Sequence, residues 1–274
     1  MEIRSKLEKA GFHTAVALGF FDGVHIGHRL VVEAATRVID LVPTVFTFKS
    51  NPKKDLLKKN VTDNLTTATQ KAALFSGLGI KLLYAVPFEC VRHLHAKEFV
   101  KKVLVEVLQA KKVICGSNYH FGKGGMSSVN DLRFFCDQQK IEVKIIPMVL
   151  RQGEVVSSTR IRKLLLNGNV KFAKDLLKRP YSYTSKVFKI YNTNSKLFII
   201  CQYFPKHLIV PKFGAYSSLI TFKQVQVRGI TKLLKPADKS QLPLSETVLL
   251  DEVNEDPLES FIEIALLDFL EAIN

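Results

Sequence analysis

The decapeptide Gly19-Phe-Phe-Asp-Gly-Val-His-Ile-Gly-His28 constrains this chain more than any other stretch. An apolar, strand-like run (Ala15–Leu18) precedes it, and a helix-like stretch, Leu30–Ile39, follows. A glycine-rich turn between a buried strand and a helix is where α/β folds bind phosphates. Glycines let the backbone close on the anion, and the helix N-terminus presents free N–H groups at its positive dipole end. The same turn carries His25 and His28, separated by Ile26 and Gly27. Two imidazole N–H donors aimed at a bound phosphate suit chemistry on a phosphate chain better than passive binding. By itself His-x-x-His is a weak signal, since histidines near a turn are usually surface or capping residues. A zinc pair would need further ligands, and no Cys or His stands at suitable close spacing, so no metal-ligating residue is expected.

Residues 14–178 alternate strand-like and helix-like segments. Apolar, β-branched-rich runs occur at Ala15–Leu18, Pro43–Phe48, Leu82–Val86, Lys112–Cys115 and Val143–Pro147, with helical candidates near 27–40, 67–77, 96–109 and 128–139. Thr67-x-x-Gln70 reads as a capping box and Ser128-x-x-Asp131 as a weaker variant. Such alternation predicts a parallel sheet covered on both faces, with ligands bound beyond the C-terminal strand ends. Near Arg179-Pro180 the pattern changes to short apolar runs separated by Asn, Lys, Pro and Gly, which predicts a small antiparallel barrel or sandwich. Ser260–Leu270 fits a strand or an amphipathic helix equally well.

Composition adds bounds. At 274 residues the chain is long enough for two modest domains. No apolar run approaches the ~20 residues of a membrane span, and the first residues lack the apolar core of a signal peptide. Cys90, Cys115, Cys136 and Cys201 lie scattered in apolar stretches without a Cys-x-x-Cys, as expected of reduced thiols in a cytoplasmic protein. The net charge is +15, yet no Lys or Arg follows Lys239, whereas Glu246, Asp251, Glu252, Glu255, Asp256, Glu259, Glu263, Asp268 and Glu271 do. A basic body attracts anionic ligands. No zinc module, RNP-like motif or aromatic–basic stripe accompanies the charge, so a nucleic-acid partner is not expected.

The turn has the form of the His-x-Gly-His signature of adenylyl- and cytidylyltransferases. More narrowly, the chain resembles the bacterial bifunctional riboflavin kinase/FMN adenylyltransferase (FAD synthetase) family. The resemblance is carried in order by Phe46-Thr-Phe-Lys-Ser-Asn-Pro52, Leu65-Thr-Thr…Lys71 with Leu78-Gly-Ile, Phe99 with Val103-Leu104, Cys115-Gly-Ser-Asn-Tyr-His-Phe-Gly122, Val156-Ser-Ser-Thr-Arg-Ile-Arg162 and Arg179-Pro-Tyr181. It implies an α/β protein: a Rossmann-like, parallel-sheet nucleotidyltransferase domain over 1–180, then a small antiparallel β-barrel-like domain over 181–274. The implied reaction is FMN and ATP, with Mg²⁺ on the triphosphate, giving FAD and pyrophosphate. Gly19, Phe20, Phe21, Asp22 and Gly27 would line the ATP phosphates, with His25 and His28 as catalytic donors. Ser158, Thr159 and the catalytic Arg162 would hold the departing phosphates, and Asn51, Asn118, Tyr119 and Phe121 would lie near the flavin.

The second domain departs from the family pattern. Aligning Pro211-Lys-Phe-Gly-Ala-Tyr216 with the family's Pro-x-x-Gly-Val-Tyr puts Lys196–Phe204 opposite the kinase hallmark Gly-x-Pro-Thr-Ala-Asn. Glycine and proline are missing there, and Cys201 and Tyr203 stand where Thr and Asn are needed. Glu246 matches the family's catalytic Glu, but a lone Glu cannot position ATP. The expectation is therefore an FMN adenylyltransferase that has lost riboflavin kinase activity. The alternatives are an enzyme keeping both activities, a relative using another phosphorylated acceptor, and a non-catalytic flavin- or RNA-binding protein. Oligomeric state is not legible.

Overall fold

The computed structural model describes residues 1–52, 63–192, 198–223, 225–238, 241–251 and 260–272. They fall into two compact units, one drawn from Met1–Thr62 and Thr67–Val156, the other from Asp63–Thr66 and Ser157–Asn274.

The first unit is built on a six-stranded parallel sheet of order β1-β4-β3-β2-β5-β6. Its strands are β1 (Glu2–Arg4), β2 (Thr14–Leu18), β3 (Val42–Phe48), β4 (Leu82–Val86), β5 (Ala110–Gly116) and β6 (Glu142–Ile146). Every residue of β2 is buried, as a central parallel strand covered on both faces requires. Its side chains divide by alternation. Val16 and Leu18 pack with Phe46, Tyr84, Phe99 and Val103 on one face, while Ala15 and Ala17 pack with Val32, Val45, Phe75 and Ile114 on the other.

The helices are α1 (Ile26–Thr36), α2 (Ala68–Gly77), α3 (Ala96–Glu98), which runs into a π-helical stretch Phe99–Val107, and α4 (Val129–Asp137). Thr67 and Gln70 close a reciprocal capping box on α2, and Ser128 and Asp131 do the same on α4. A two-stranded hairpin, β7 (Leu150–Arg151) with β8 (Glu154–Val155), completes the unit. Strand β1 was not expected: it is short and polar and pairs in parallel with β4 at the sheet edge through its backbone.

The second unit holds α5 (Ser158–Leu166), α6 (Val170–Leu177) and a closed antiparallel barrel. The barrel strands are β9 (Tyr181–Asn192), β10 (Phe198–Tyr203), β11 (Gly214–Phe222), β12 (Val225–Leu234), β13 (Leu244–Leu249) and β14 (Phe261–Glu271). Their order around the barrel is β10-β13-β12-β11-β14-β9. The segment that fitted strand or helix is therefore strand β14, paired with both β9 and β11. Ser245, Thr247 and Leu249 of β13 face inward. A buried chain of hydroxyls crosses three strands, Ser218 to Thr231 at 2.7 Å and Thr231 to Thr247 at 2.9 Å. The short stretch 63–66 joins this unit through Asn64 N–H donating to the His207 carbonyl at 2.9 Å and Ile209 N–H to the Asn64 carbonyl at 2.8 Å.

Among the described residues no helix is long and apolar enough to cross a membrane. Cys115, Cys136 and Cys201 are buried free thiols, whereas Cys90 is exposed in the one-turn helix Phe88–Cys90 that follows β4.

Candidate active site

In the first sheet the chain steps from β2 outward to β3 and β4, then returns to the other side of β2 as β5. The reversal falls between β2 and β5, and open parallel sheets bind ligands at the C-terminal end of such a switch point. The turn Gly19–His28 leaves β2 there, and Gly116–Gly122 leaves the neighbouring β5.

Two close approaches explain the glycines of the first turn. A Cβ on Gly19 would lie 2.9 Å from the Phe21 ring, and one on Gly27 would lie 3.3 Å from His25 Cε1. The turn is also strained. Phe21 (φ 55°) and Val24 (φ 43°) sit in the left-handed region beside Gly23 (φ 82°). Such a conformation costs a non-glycine residue roughly 1–3 kcal/mol and persists where surrounding contacts enforce it. Here Val24 N–H donates to the Phe21 carbonyl at 3.1 Å, and both side chains are sealed into the core.

The two histidines are held as a pair. His25 is the N-cap of α1, its Nδ1 accepting from the His28 N–H at 3.4 Å. That bond leaves the proton of a neutral His25 on Nε2. The imidazoles stack with centroids 3.6 Å apart and planes 19° from parallel, and the Phe21 ring stands edge-on to His28 at 5.4 Å. Burial drives the His28 pKa well below the ordinary histidine value, and His25 and Lys71 add to the shift. His28 is therefore neutral near pH 7. Its Nδ1 is buried with no hydrogen-bond partner among the described residues, a costly state that a ligand atom can relieve. The first turn of α1 holds no carboxylate to compete with an anion.

Sequence reasoning missed Lys71 as a site residue. It rises from α2, is only 8% exposed, and donates from Nζ to the Phe20 carbonyl at 3.1 Å. The Thr47 hydroxyl of β3 donates to the same carbonyl at 3.0 Å. The Lys71 ammonium also lies 4.4 Å from the Phe20 ring centroid. Burial lowers its pKa to about 8 against the opposing pull of Asp22. A signal was available: Lys71 and Phe75 are the buried residues of α2, one helical turn apart, so a lysine occupies the apolar stripe.

The remaining expected residues divide. Asp22 is buried in the turn, and Asn51 is buried just beyond β3. Asn118 is exposed and folds back so that Oδ1 lies 3.1 Å from where a Gly116 Cβ would be. Phe121 belongs to the apolar core beside Phe99, and Tyr119 stacks on it with centroids 6.0 Å apart. Ser158, Thr159 and Arg162 belong to the second unit, where Ser157 caps α5 by accepting from the Arg160 N–H at 3.2 Å. Arg162 is buried, its Nε donating to the Asp63 carbonyl at 2.8 Å. In the barrel, Cys201 on β10 pairs directly with Glu246 on β13. Residues 193–197, which include the start of the segment set against the kinase hallmark, lie outside the described residues. Among the described residues no cluster of His, Cys, Asp and Glu could hold a metal ion.

The family described as FAD synthetase matches residues 8–160. A bifunctional riboflavin kinase/FMN adenylyltransferase of Buchnera aphidicola is 30% identical over 186 residues, covering 66% of this chain and 60% of its own length. The protein of the same name from Listeria monocytogenes is 33% identical, covering 64% and 57%. A second Listeria protein, called FAD synthetase, is 29% identical, covering 63% of this chain and 71% of its own. The chain thus spans less than two thirds of the length of the bifunctional relatives. A crystal structure of a protein called macrolide-efflux protein, from Streptococcus pneumoniae, superposes with a TM-score of 0.87. It covers 100% of this chain and 91% of its own at 24% identity, and shows the shared fold alone.

Proposed function

The chain belongs to the FAD synthetase family, and on that premise we propose that it is an FMN adenylyltransferase making FAD and pyrophosphate from FMN and ATP in the cytoplasm. The observation that carries the reading is the stacked His25–His28 pair at the mouth of α1, His25 buried and His28 half-buried with an enclosed, unpartnered Nδ1, beside the switch point of a parallel sheet.

In this reaction a phosphate oxygen of FMN attacks the α-phosphorus of ATP. A new P–O bond forms as the bond to the bridging oxygen of the β-phosphate breaks, and that oxygen leaves with pyrophosphate. The acceptor supplies the nucleophile, so the protein contributes position and charge stabilisation. The backbone from Gly19 to Gly27 steers the triphosphate, and His25 and His28 donate to its α- and β-phosphate oxygens. Because burial holds His28 neutral, it acts as an oriented, uncharged donor. By family resemblance Ser158, Thr159 and Arg162 serve the departing phosphates, and Asn51, Asn118 and Tyr119 serve the flavin. Phe121 acts behind them as packing. Magnesium enters with ATP as part of the substrate, held by phosphate and water.

Riboflavin kinase activity is absent in this reading. Cys201 and Tyr203 replace a Thr and an Asn, and β10 is ordinary barrel strand bonded on both sides. Burial raises the Cys201 thiol, with Glu246 adding to it. A protonated thiol and a phenol are poor ligands for a hard cation that demands oxygen anions.

The test is a chromatographic product assay with ATP, Mg²⁺ and either FMN or riboflavin. FAD from FMN with nothing from riboflavin is the expected outcome. FMN or FAD from riboflavin would mean that the barrel is an active kinase, and no product from either would overturn the flavin assignment.

A further inference from the structure

Among the described residues the Lys71 ammonium is a buried charge with no carboxylate in direct contact, and Asp22 favours its charged form. It is 8% exposed, and among the described residues no carboxylate oxygen lies within ion-pair distance of Nζ. Its contacts are the Phe20 carbonyl at 3.1 Å, the Thr47 hydroxyl at 3.5 Å and the face of the Phe20 ring at 4.4 Å. Desolvating an unpaired ammonium is costly, and an apolar side chain of the same length would fit this stripe of α2 more cheaply. What the lysine does hold is one peptide group in the strained turn. In a trans peptide the carbonyl and the following N–H point in opposite directions. Pinning the Phe20 carbonyl against α2 and β3 therefore turns the Phe21 N–H to the far side of the turn, and it fixes the residue at which the left-handed backbone begins.

We infer that Lys71 is a positioning residue for adenylyl transfer: its ammonium locks the Phe20 peptide, and with it the phosphate-binding turn, and supplies the fixed positive charge that the incoming triphosphate neutralises. This assignment rests on the adenylyltransferase reading. The titratable groups acting on Lys71 are Asp22 in the turn, which favours its charge, and His28 on α1, whose protonation it opposes. From β3 it meets only the neutral Thr47 hydroxyl. A lysine titrating near 8 in the free protein is half discharged in mildly alkaline solution, and a turn that depends on the charge loses its hold there.

The experiment compares the full-length protein with Lys71→Arg and Lys71→Met. It reads kcat and KM for ATP from about pH 6 to about pH 10, together with ATP affinity by calorimetry at both ends of that range and thermal unfolding as a check on the fold. In the wild type, kcat/KM for ATP falls along an alkaline limb centred near 8. In Lys71→Arg the limb moves out of the range, because a guanidinium stays charged. In Lys71→Met, kcat/KM is lower by about tenfold or more at neutral pH, and the limb is gone. A limb that persists near 8 in either variant, or Lys71→Met with wild-type kinetics, overturns the proposal. If one variant fails to fold, the limb in the other decides. A wild type that makes no FAD overturns the reaction instead. Calorimetry then still reads Lys71, through ATP affinity that falls with rising pH in the wild type and holds steady in Lys71→Arg.

Discussion

At the scale of single residues, the site trades stability for geometry, and two substitutions expose the trade. Gly27 is the second residue of α1, where alanine is the better helix former by up to about 1 kcal/mol. Its Cβ, however, would press on the His25 ring from 3.3 Å. Gly27→Ala should therefore keep or raise the melting temperature while lowering kcat/KM by about tenfold, as expected if His25 is the donor proposed above and is displaced by a fraction of an ångström. Parallel calorimetry and steady-state kinetics check both halves. Lys71 shows the same trade through pH. Its pKa falls from 10.5 to about 8 on folding, so between those values the unfolded chain carries a proton that the folded protein lacks. Stability then rises with pH across that window, and the full penalty applies below it. Lys71→Met should be more stable than wild type near pH 7, by up to on the order of 3 kcal/mol. That advantage should be gone above 10.5, where both states of the wild type are neutral. Urea unfolding at two pH values reads the difference.

At the scale of elements, α1 is both a structural helix and the frame of the proposed site, because one imidazole caps it and its first turn presents the other. The two duties of His25 are separable. His25→Ala should lose about 1 kcal/mol of stability with the cap, and His25→Asn should recover most of it, since asparagine is a good N-cap. Neither should recover turnover. Thermal melts beside the FAD assay distinguish the effects. Elements also differ in how plainly the sequence announced them. The central strands and α2 were legible because burial on both faces and a capping box are local, chemical signals. Strand β1 was not, because an edge strand held by backbone pairing needs no apolar pattern. Strand β14 fitted two periodicities, and only its neighbours β9 and β11 decide between them. Within the site, the turn could be read because its glycines and histidines are contiguous. Lys71 arrives from a helix, 51 residues along the chain from Phe20, a juxtaposition that only tertiary structure creates. Aromatic identity alone likewise could not say that Phe121 faces the core.

At the scale of the whole molecule, the +15 charge acts at a distance that no single contact spans. On the proposed reaction, a triphosphate and a flavin phosphate would be drawn by that field, and salt screens it over a Debye length of about 8–10 Å. Raising ionic strength from about 0.05 M to about 0.5 M should increase KM for ATP several-fold with little change in kcat. A KM insensitive to salt would show that local contacts alone capture the substrate. The distribution of thiols has a practical corollary. Burial lifts Cys115 to about 11 and Cys136 to about 12, and Cys201 is enclosed as well, so none offers a thiolate to a reagent at neutral pH. Cys90 alone is open, at the end of β4, on the edge of the sheet where its strands deliver their C-termini. The unmodified chain therefore comes with one addressable attachment point, and a maleimide dye placed there would let the proposed arrival of nucleotide be tested by fluorescence without substituting a residue.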